Sequence, residues 1–183
     1  VERSYRVADK QGRAVNMAQL TPLGETLDEA LSGQLKRVLK RGDFAGENGQ
    51  CQLLYELGDT AAARVMLVGL GNRKAFGPRQ FRSALVPAFR LLDQSGAIDT
   101  LIMLPNGAED DDSYRLTREA VDAAEAAVYR FDQCKSESKP PKRPLKRVAF
   151  LTQSRSQLAA AKRAVAHGAA IAEGARLAKD LAN

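Results

Sequence analysis

The sequence predicts an α/β domain in which a largely parallel sheet lies between layers of helices. Strand-like and helix-like segments alternate over most of the 183 residues, a pattern typical of strands joined by crossover helices. Two strand-like segments, residues 64–70 and 99–104, are almost continuously apolar, as strands are when helices cover both faces of their sheet. An apolar fraction of 44% with 27% charged residues is ordinary for a globular core.

The first predicted helix begins after Thr21. Threonine is a good N-cap, and Pro22 suits the first helical turn. Apolar residues then recur at helical spacing as far as Gly42, which predicts one amphipathic helix with a basic outer face. These apolar residues are Leu23, Leu27, Leu31, Leu35 and Val38. Residues 50–57 and 64–70 follow as predicted strands.

Five further elements are predicted from Pro78 onward. Pro78 opens a helix that runs to residue 95, with a kink at Pro87 and Gly96 as its C-cap. A strand over 99–104, an Ala-rich helix over 114–131 and a strand over 147–152 follow. Ser154 and Gln157 have the spacing of a capping box, which predicts a long final helix through residue 181.

Gly69 and Gly71 lie between a predicted strand and a predicted helix, the position at which many nucleotide-binding proteins hold a phosphate. The dinucleotide fingerprint needs a third glycine where this chain has Lys74. It also needs a carboxylate at the end of the next strand, where this chain has Pro105. We therefore interpret the loop as a sharp turn of the scaffold, and no cofactor-binding residue is assigned.

Residues that carry catalysis or bind metal ions are scarce. His167 is the one histidine, and a single imidazole without neighbours is more typical of a surface or packing position. Cys51 and Cys134 belong to no C-x-x-C pair and are predicted to be free thiols in a reducing compartment; Cys134 has no adjacent base to activate it. The acidic run at 109–112 lacks a second set of ligands. We assign no catalytic and no metal-binding residue.

Positive charge is concentrated in the connector between the predicted helix over 114–131 and the predicted strand over 147–152. Residues 135–147 hold six basic side chains against one acidic side chain, within a net charge of +6. A solvated connector is favoured over a phosphate-binding segment, because no aromatic residues alternate with the lysines to stack on bases. The candidate nucleic-acid-binding residues are Lys139, Lys142, Arg143, Lys146 and Arg147. A second basic group comprises Lys36, Arg37, Lys40 and Arg41.

No segment of the sequence approaches the roughly 18 consecutive apolar residues of a membrane span. The first residues also lack the apolar stretch of a signal peptide. The sequence therefore predicts a cytoplasmic protein without a membrane partner.

Four stretches of the chain, in order, resemble the N-terminal domain of bacterial leucyl aminopeptidases, the two-metal cytosol aminopeptidase family. They are LKRGDFAGENGQ (39–50), RVMLVGLGNRKAF (64–76), AAVYRFDQCKS (126–136) and AIAEGARLAKDLAN (170–183). The resemblance extends from about residue 20 to the last residue, and YRFDQCKS together with EGARLAKDLAN makes it specific. It implies a three-layer, macro-domain-like α/β/α sandwich in which the GLG loop is a sheet-to-helix turn.

The resemblance also implies a domain organisation and a function. Residues 1–153 would form the N-terminal domain, and 154–183 a helix leading to a C-terminal catalytic domain that this fragment lacks. That second domain holds the family's metal ligands, two zinc or manganese ions, and its catalytic residues, so the fragment alone would be inactive. The parent enzyme would be a homohexamer that removes N-terminal residues, leucine preferred, with this domain serving assembly and regulation. The alternative is a DNA-binding module, because some family members use this domain in recombination or transcriptional control.

The chain departs from the family near its start. Family members usually carry an additional strand before the helix that begins here at Thr21, whereas Val15 to Gln19 leads directly into Leu20. We therefore expect a strand to be missing at this point, either deleted or lying outside the sequence, and the sheet edge near Tyr5 to be altered.

Overall fold

The structure, a computed structural model, describes residues 2–8, 14–57, 61–105, 110–131 and 144–182. The chain divides into two compact units, residues 1–88 and residues 89–183, and each unit is described by itself. Strands and helices are present in both units, which confirms the predicted α/β class. The predicted boundary after residue 153, between a domain and a linking helix, stays a prediction.

The elements of the first unit begin with two strands and two short helices. They are β1 (Glu2–Ala8), β2 (Ala14–Gln19), α1 (Pro22–Ala30), α2 (Gln34–Arg41), β3 (Cys51–Tyr55), β4 (Arg64–Val68) and a 3₁₀ turn (Arg73–Ala75). Helix α3 (Pro78–Gln94) runs from this unit into the second. The second unit continues with β5 (Asp99–Met103), α4 (Asp110–Val128), β6 (Arg147–Leu151) and α5 (Arg155–Ala182).

The strands of the described residues pair as three two-stranded sheets. Strands β5 and β6 are parallel, with Asp99 opposite Arg147 and Met103 opposite Leu151, and α4 lies in the connection between them. The pairs β1–β2 and β3–β4 are antiparallel and differ from the largely parallel arrangement expected. Their connections explain the difference, because a parallel crossover needs about a dozen residues or more and these connections are shorter.

Strand β2 occupies the segment just before Thr21, where the sequence predicted that a strand is missing. Its backbone pairs antiparallel with β1 from Gln19 back to Ala14. The chain then enters α1 directly, and the Thr21 hydroxyl accepts a hydrogen bond from the Gly24 N–H at 3.3 Å. The chain therefore has a strand at this position, and the expected N-cap at Thr21 is confirmed.

The prediction of a single helix from Thr21 to Gly42 is wrong, because the helix is interrupted between α1 and α2. Ser32 and Gly33 have φ angles of 52° and 77°, a left-handed conformation that cannot continue a right-handed helix. The carboxylate of Asp28 is buried at 2% exposure and accepts hydrogen bonds from the N–H groups of Leu35 at 2.8 Å and Lys36 at 3.1 Å. Asp28 thus provides acceptors that the first turn of α2 would otherwise lack.

The core of the first unit forms where both short helices meet β3, β4 and the chain around them. Leu31 and Leu35, on either side of the break, are almost completely buried. The buried members of this cluster are Leu20, Leu31, Leu35, Leu39, Phe44, Leu57 and Leu67. Two helices joined by a tight turn therefore bury the same apolar stripe that the sequence pattern assigned to one helix.

In the second unit, α5 packs along α4 through small side chains. Ala160, Ala164, Gly168 and Ala172 follow one another at intervals of four on α5, and all four are buried. A Cβ atom placed on Gly168 would lie 2.9 Å from both Cβ and Cγ1 of Val121 on α4. Residues this small let the two helices approach closely.

The predicted N-cap of α5 at Ser154 is confirmed, but the Gln157 side chain binds the N–H of Gln153 and not that of Ser154, as a full capping box would. The Ser154 hydroxyl accepts a hydrogen bond from the Gln157 N–H at 3.1 Å, while the Gln157 side chain accepts one from the Gln153 N–H at 2.8 Å. The helix runs to Ala182, close to its predicted end at residue 181. None of the helices in the described ranges combines the length and apolar character that crossing a bilayer requires.

Asp93, near the end of α3, is buried at 4% exposure and binds two later parts of the second unit. Its carboxylate accepts a hydrogen bond from the Arg130 guanidinium at 2.7 Å and one from the Leu145 N–H at 3.1 Å. The ion pair and the backbone hydrogen bond together satisfy a carboxylate that would be costly to bury alone. Asp93 therefore fixes the chain just after α4 and just before β6.

Candidate functional site

The loop that follows β4 is bound to the segment at residues 44–50 through its backbone. The Gly69 N–H donates to the Gln50 carbonyl at 2.8 Å, and the Gly69 carbonyl accepts from the Gly49 N–H at 2.9 Å. The Gly71 N–H donates to the Gly46 carbonyl at 3.0 Å. Both glycine N–H groups of the loop therefore have carbonyl partners within the protein.

Two side chains hold the segment at 44–50 in shape. The Gln50 amide oxygen accepts hydrogen bonds from the N–H groups of Ala45 at 3.0 Å and Glu47 at 3.2 Å. The Asn48 amide donates to the Gln80 carbonyl at 2.9 Å, and its oxygen accepts from the Ser83 hydroxyl at 2.7 Å. Asn48 thereby attaches this segment to the start of α3.

Gly69 and Gly71 leave room for this contact in two ways. A Cβ atom on Gly69 would lie 2.0 Å from the Glu47 carbonyl oxygen and 2.7 Å from the carbonyl carbon of Gly46. Gly71 has a φ angle of +76° and would place a Cβ atom 3.2 Å from the Asn48 Cβ. Gly69 is thus required by close approach of two backbones, and Gly71 by its left-handed conformation.

This geometry favours the interpretation of the loop as scaffold. A phosphate-binding loop presents free backbone N–H groups at a helix N-terminus, whereas the two glycine N–H groups here donate to Gln50 and Gly46. Lys74, which stands where the fingerprint has its third glycine, donates its backbone N–H to the Asn72 side chain at 2.9 Å. These three backbone N–H groups of the loop therefore all donate to acceptors within the chain.

We expect that neither NAD nor ADP-ribose at millimolar concentration raises the melting temperature of the chain. A ligand that binds only the native state must stabilise it, and the N–H groups that would bind its phosphates already have partners. Thermal unfolding followed by circular dichroism, with and without each nucleotide, checks this. A rise of several degrees would contradict the scaffold interpretation of Gly69 and Gly71.

Cys51 and His167 each form a hydrogen bond within the chain. Burial raises the pKa of the Cys51 thiol to about 11, and its Sγ donates to the Gly49 carbonyl at 3.4 Å; this thiol is protonated at neutral pH, and a thiol is a weak nucleophile. His167 is exposed on α5, and its Nδ1 is hydrogen-bonded to the Tyr114 hydroxyl at 2.8 Å. Cys134 lies outside the described residues.

Within the described residues, no three histidine, cysteine, aspartate or glutamate side chains come together as a metal site would require. Of the acidic run at 109–112, residue 109 lies outside the described residues, and so do the side chains of 110 and 111. The buried carboxylates of Asp28 and Asp93 bind backbone N–H groups and Arg130 instead.

Three of the five candidate nucleic-acid-binding residues, Lys139, Lys142 and Arg143, lie outside the described residues. The other two, Lys146 and Arg147, have exposed side chains at the start of β6. Their backbone N–H groups both donate to the Ile98 carbonyl, at 2.8 and 3.2 Å. These contacts fix the backbone of β6 and leave nucleic-acid binding at this segment a prediction.

The second basic group lies on α2, where two of its members bind neighbours in the chain. Lys36 forms an ion pair with Glu25, and this hydrogen bond raises the pKa of the lysine. The Arg37 guanidinium donates to the Ser32 carbonyl at 2.9 Å. Lys40 and Arg41 are exposed. A nucleic-acid interface at α2 stays a prediction.

Asn48, the residue that links three parts of this region, was not predicted from the sequence. Its side chain contacts the loop after β4, because it donates to the Leu70 carbonyl at 3.4 Å, and it also contacts α3. The signal available in the sequence was the pair of glycines on either side of it, Gly46 and Gly49. In the structure both adopt positive φ angles, 70° and 80°. Such glycines mark a tightly folded loop, but they do not identify what it contacts.

Comparisons with known proteins give a consistent result. Residues 14–138 match the family model described as the cytosol aminopeptidase family, N-terminal domain. The probable cytosol aminopeptidase of Aeromonas salmonicida (strain A449) is 33% identical over 166 residues, which cover 90% of this chain and 33% of the relative. That of Idiomarina loihiensis is 34% identical with the same coverage. The chain therefore spans about a third of the length of the curated relatives it matches.

Solved structures agree on the fold. A mutant of tomato leucine aminopeptidase superimposes with a TM-score of 0.61 and 23% identity, over 87% of this chain and 30% of that chain. The bottromycin maturation enzyme BotP superimposes with a TM-score of 0.59 and 27% identity, over 79% of this chain and 29% of that chain. BotP has also been solved in complex with Mn, with a TM-score of 0.56 over 79% of this chain and 28% of that chain, at 27% identity.

Proposed function

Because this chain belongs to the cytosol aminopeptidase family, as its non-catalytic N-terminal domain, we propose that it serves the assembly and regulation of a metal-dependent leucyl aminopeptidase. The observation that carries the proposal is the match of residues 14–138 to the family's N-terminal domain. The two probable cytosol aminopeptidases support it, because the region they share with this chain is only a third of their length. The activity then resides in the part of those enzymes that this chain does not match.

The proposed reaction of the whole enzyme is removal of the N-terminal residue of a peptide, with leucine preferred. Two divalent metal ions would activate the attacking water and polarise the peptide carbonyl. Zinc and manganese are the proposed metals, and the manganese complex of BotP supports the second. A cytoplasmic homohexamer is the proposed form of the enzyme.

The described residues of this chain do not fit a two-metal centre. Such a centre needs several carboxylates converging so that the ions lie within about 4 Å of each other. Among the described residues no three such side chains come together, and three of the carboxylates bind other parts of the chain: Asp28 binds the first turn of α2, Asp93 binds Arg130, and Asp180 accepts from the Tyr129 hydroxyl at 2.9 Å. We therefore derive no step of the reaction through this chain and assign it a structural role.

We expect the 183-residue chain, supplied with manganese or zinc, not to hydrolyse leucine p-nitroanilide. The same chain, joined to the C-terminal two thirds of the Aeromonas salmonicida relative in place of that enzyme's own N-terminal third, is expected to hydrolyse it. The measurement is release of p-nitroaniline, with the intact relative as the positive control. Turnover by the chain alone that survives repurification and is abolished by a chelator would contradict the proposal.

A further inference from the structure

Asn48 is followed directly by Gly49, and both belong to the segment at residues 44–50. Asparagine is among the thermolabile residues of proteins, because its side-chain amide carbon is open to attack by the backbone nitrogen of the next residue. Glycine at that next position carries no Cβ atom to hinder the approach and restricts the backbone least. Asn48 is exposed, so water reaches it. The sequence of this pair is therefore that of a reactive deamidation site.

The deamidation reaction at this pair needs no reagent other than water. The Gly49 nitrogen, having given its proton to solvent, bonds to the Cγ carbon of Asn48, and the bond from Cγ to Nδ2 breaks as ammonia leaves with a proton from solvent. The product is a cyclic imide. One water molecule then opens the ring at either of its carbonyl carbons, which gives aspartate or, with the main chain routed through the former side chain, isoaspartate.

Two sets of hydrogen bonds oppose this reaction in the folded chain. The Gly49 N–H donates to the Gly69 carbonyl at 2.9 Å, so the attacking nitrogen keeps its proton and faces the loop after β4. The Asn48 amide nitrogen donates to the Gln80 carbonyl at 2.9 Å, and its amide oxygen accepts from the Ser83 hydroxyl at 2.7 Å. Turning the side chain toward the Gly49 nitrogen would break both of these bonds. The fold therefore holds both reacting groups in other contacts.

We propose that Asn48 is a deamidation site that reacts only when the segment at 44–50 separates from the loop after β4 and from α3, and that the reaction prevents the segment from returning. The proposal does not depend on the function proposed above. Folded proteins open locally at free energies up to that of global unfolding. In the open segment the Gly49 nitrogen loses its carbonyl partner and the Asn48 side chain turns freely, so the rate follows the population of the open form.

Both products are incompatible with the closed arrangement. A carboxylate only accepts hydrogen bonds, whereas the Asn48 amide nitrogen donates to the carbonyls of Gln80 and Leu70, so an aspartate would place oxygen against oxygen. An isoaspartate also lengthens the main chain by one carbon atom. The segment has no room for it, because the Glu47 carbonyl oxygen lies so near Gly69 that a Cβ atom there would be 2.0 Å away. Opening followed by deamidation is thus irreversible.

Deamidation of the full chain, incubated in native buffer and in guanidinium chloride, tests the dependence on opening. Trypsin releases Asn48 on the peptide 42–64, in which it is the only asparagine, and chromatography with mass spectrometry separates the asparagine, aspartate and isoaspartate forms. The synthetic peptide 42–64 gives the rate without a fold. We expect the native chain to react at least about a hundredfold more slowly than the peptide, and the denatured chain to react at the rate of the peptide.

The variant Asn48→Asp reproduces one product and tests whether it keeps the segment open. We expect the amide hydrogens of Gly69 and Gly71, whose carbonyl partners lie in the segment at 44–50, to exchange at least about tenfold faster, since the donor bonds of Asn48 are lost. Asn72→Asp is the matched control, because the Asn72 side-chain oxygen accepts from the Lys74 N–H and a carboxylate also accepts. Exchange in the control should stay within about twofold of the unsubstituted chain.

Three results would contradict the proposal. Deamidation of the native chain as fast as that of the peptide would overturn the dependence on opening. An unreactive peptide or denatured chain would show that Asn48 is not a deamidation site. Unchanged exchange at Gly69 and Gly71 in Asn48→Asp would overturn the irreversible opening. The comparison of rates uses the unsubstituted chain, so it decides the first two points even where Asn48→Asp fails to fold.

Discussion

Replacing Gly69 with alanine is expected to lower the free energy of unfolding by about 3 kcal/mol or more, a larger effect than overpacking alone usually has. The new Cβ atom would lie 2.0 Å from the Glu47 carbonyl oxygen and 2.9 Å from the Glu47 carbonyl carbon. Both are backbone atoms, so no side-chain rotation relieves the clash. Separating the segments breaks the hydrogen bonds of Gly69 with Gly49 and Gln50, each contributing about 1 kcal/mol.

Urea unfolding at 25 °C measures this effect, and Gly77→Ala is the matched control. The nearest atom to a Cβ on Gly77 is the Gln80 amide oxygen at 3.3 Å, the end of a flexible side chain that can move. The control should stay within about 1 kcal/mol of the unsubstituted protein. Equal unfolding free energies for Gly69→Ala and Gly77→Ala would show that the loop after β4 is not packed against the segment at residues 44–50 as described.

Gly168→Ala and Gly174→Ala, two identical substitutions on α5, are expected to change stability in opposite directions. Alanine is favoured over glycine in a helix by about 1 kcal/mol, and a Cβ on Gly174 meets nothing within 4 Å. On Gly168 the same atom would lie 2.9 Å from Cβ and Cγ1 of Val121. Because Val121 is β-branched and stiff, the overpacking cost of about 1–3 kcal/mol should exceed the gain.

A double-mutant cycle with Val121→Ala identifies the cause of the Gly168→Ala effect. Truncating Val121 removes the Cγ1 atom, one of the two close contacts of the new methyl group, and leaves the Cβ contact. The two changes should therefore be less destabilising together than the sum of their separate effects. The coupling should be about 1 kcal/mol, well above the deviation seen for independent sites. Additive effects would place the strain somewhere other than the contact between α4 and α5.

Local signals in the sequence predicted those elements whose ends are determined by nearby residues. Thr21, Ser154 and Gln157 form hydrogen bonds within four residues of themselves, so their roles could be inferred from spacing alone. The break between α1 and α2 could not be inferred in this way. Leu31 and Leu35 keep helical spacing across it, and the pattern of apolar residues is the same for one helix as for two helices packed on one core.

Long-range contacts explain what sequence analysis missed at the candidate site. The family could be inferred from four stretches of the sequence taken together, and the role of the GLG loop as a turn from its missing third glycine and from that resemblance. The reason for Gly69 could not, because the Glu47 carbonyl that excludes a side chain there comes from a segment 22 residues earlier. The central position of Asn48 likewise depends on Gln80 and Ser83, more than 30 residues away in sequence.

The left-handed corner at Ser32 and Gly33 has a consequence for how the first unit unfolds. Helices α1 and α2 have nine and eight residues, too few for either to persist alone in water. Asp28 on the first helix binds backbone N–H groups of the second, so loss of α1 would also uncap α2. The corner is therefore not a hinge about which two independent helices move: they form one cooperative folding unit.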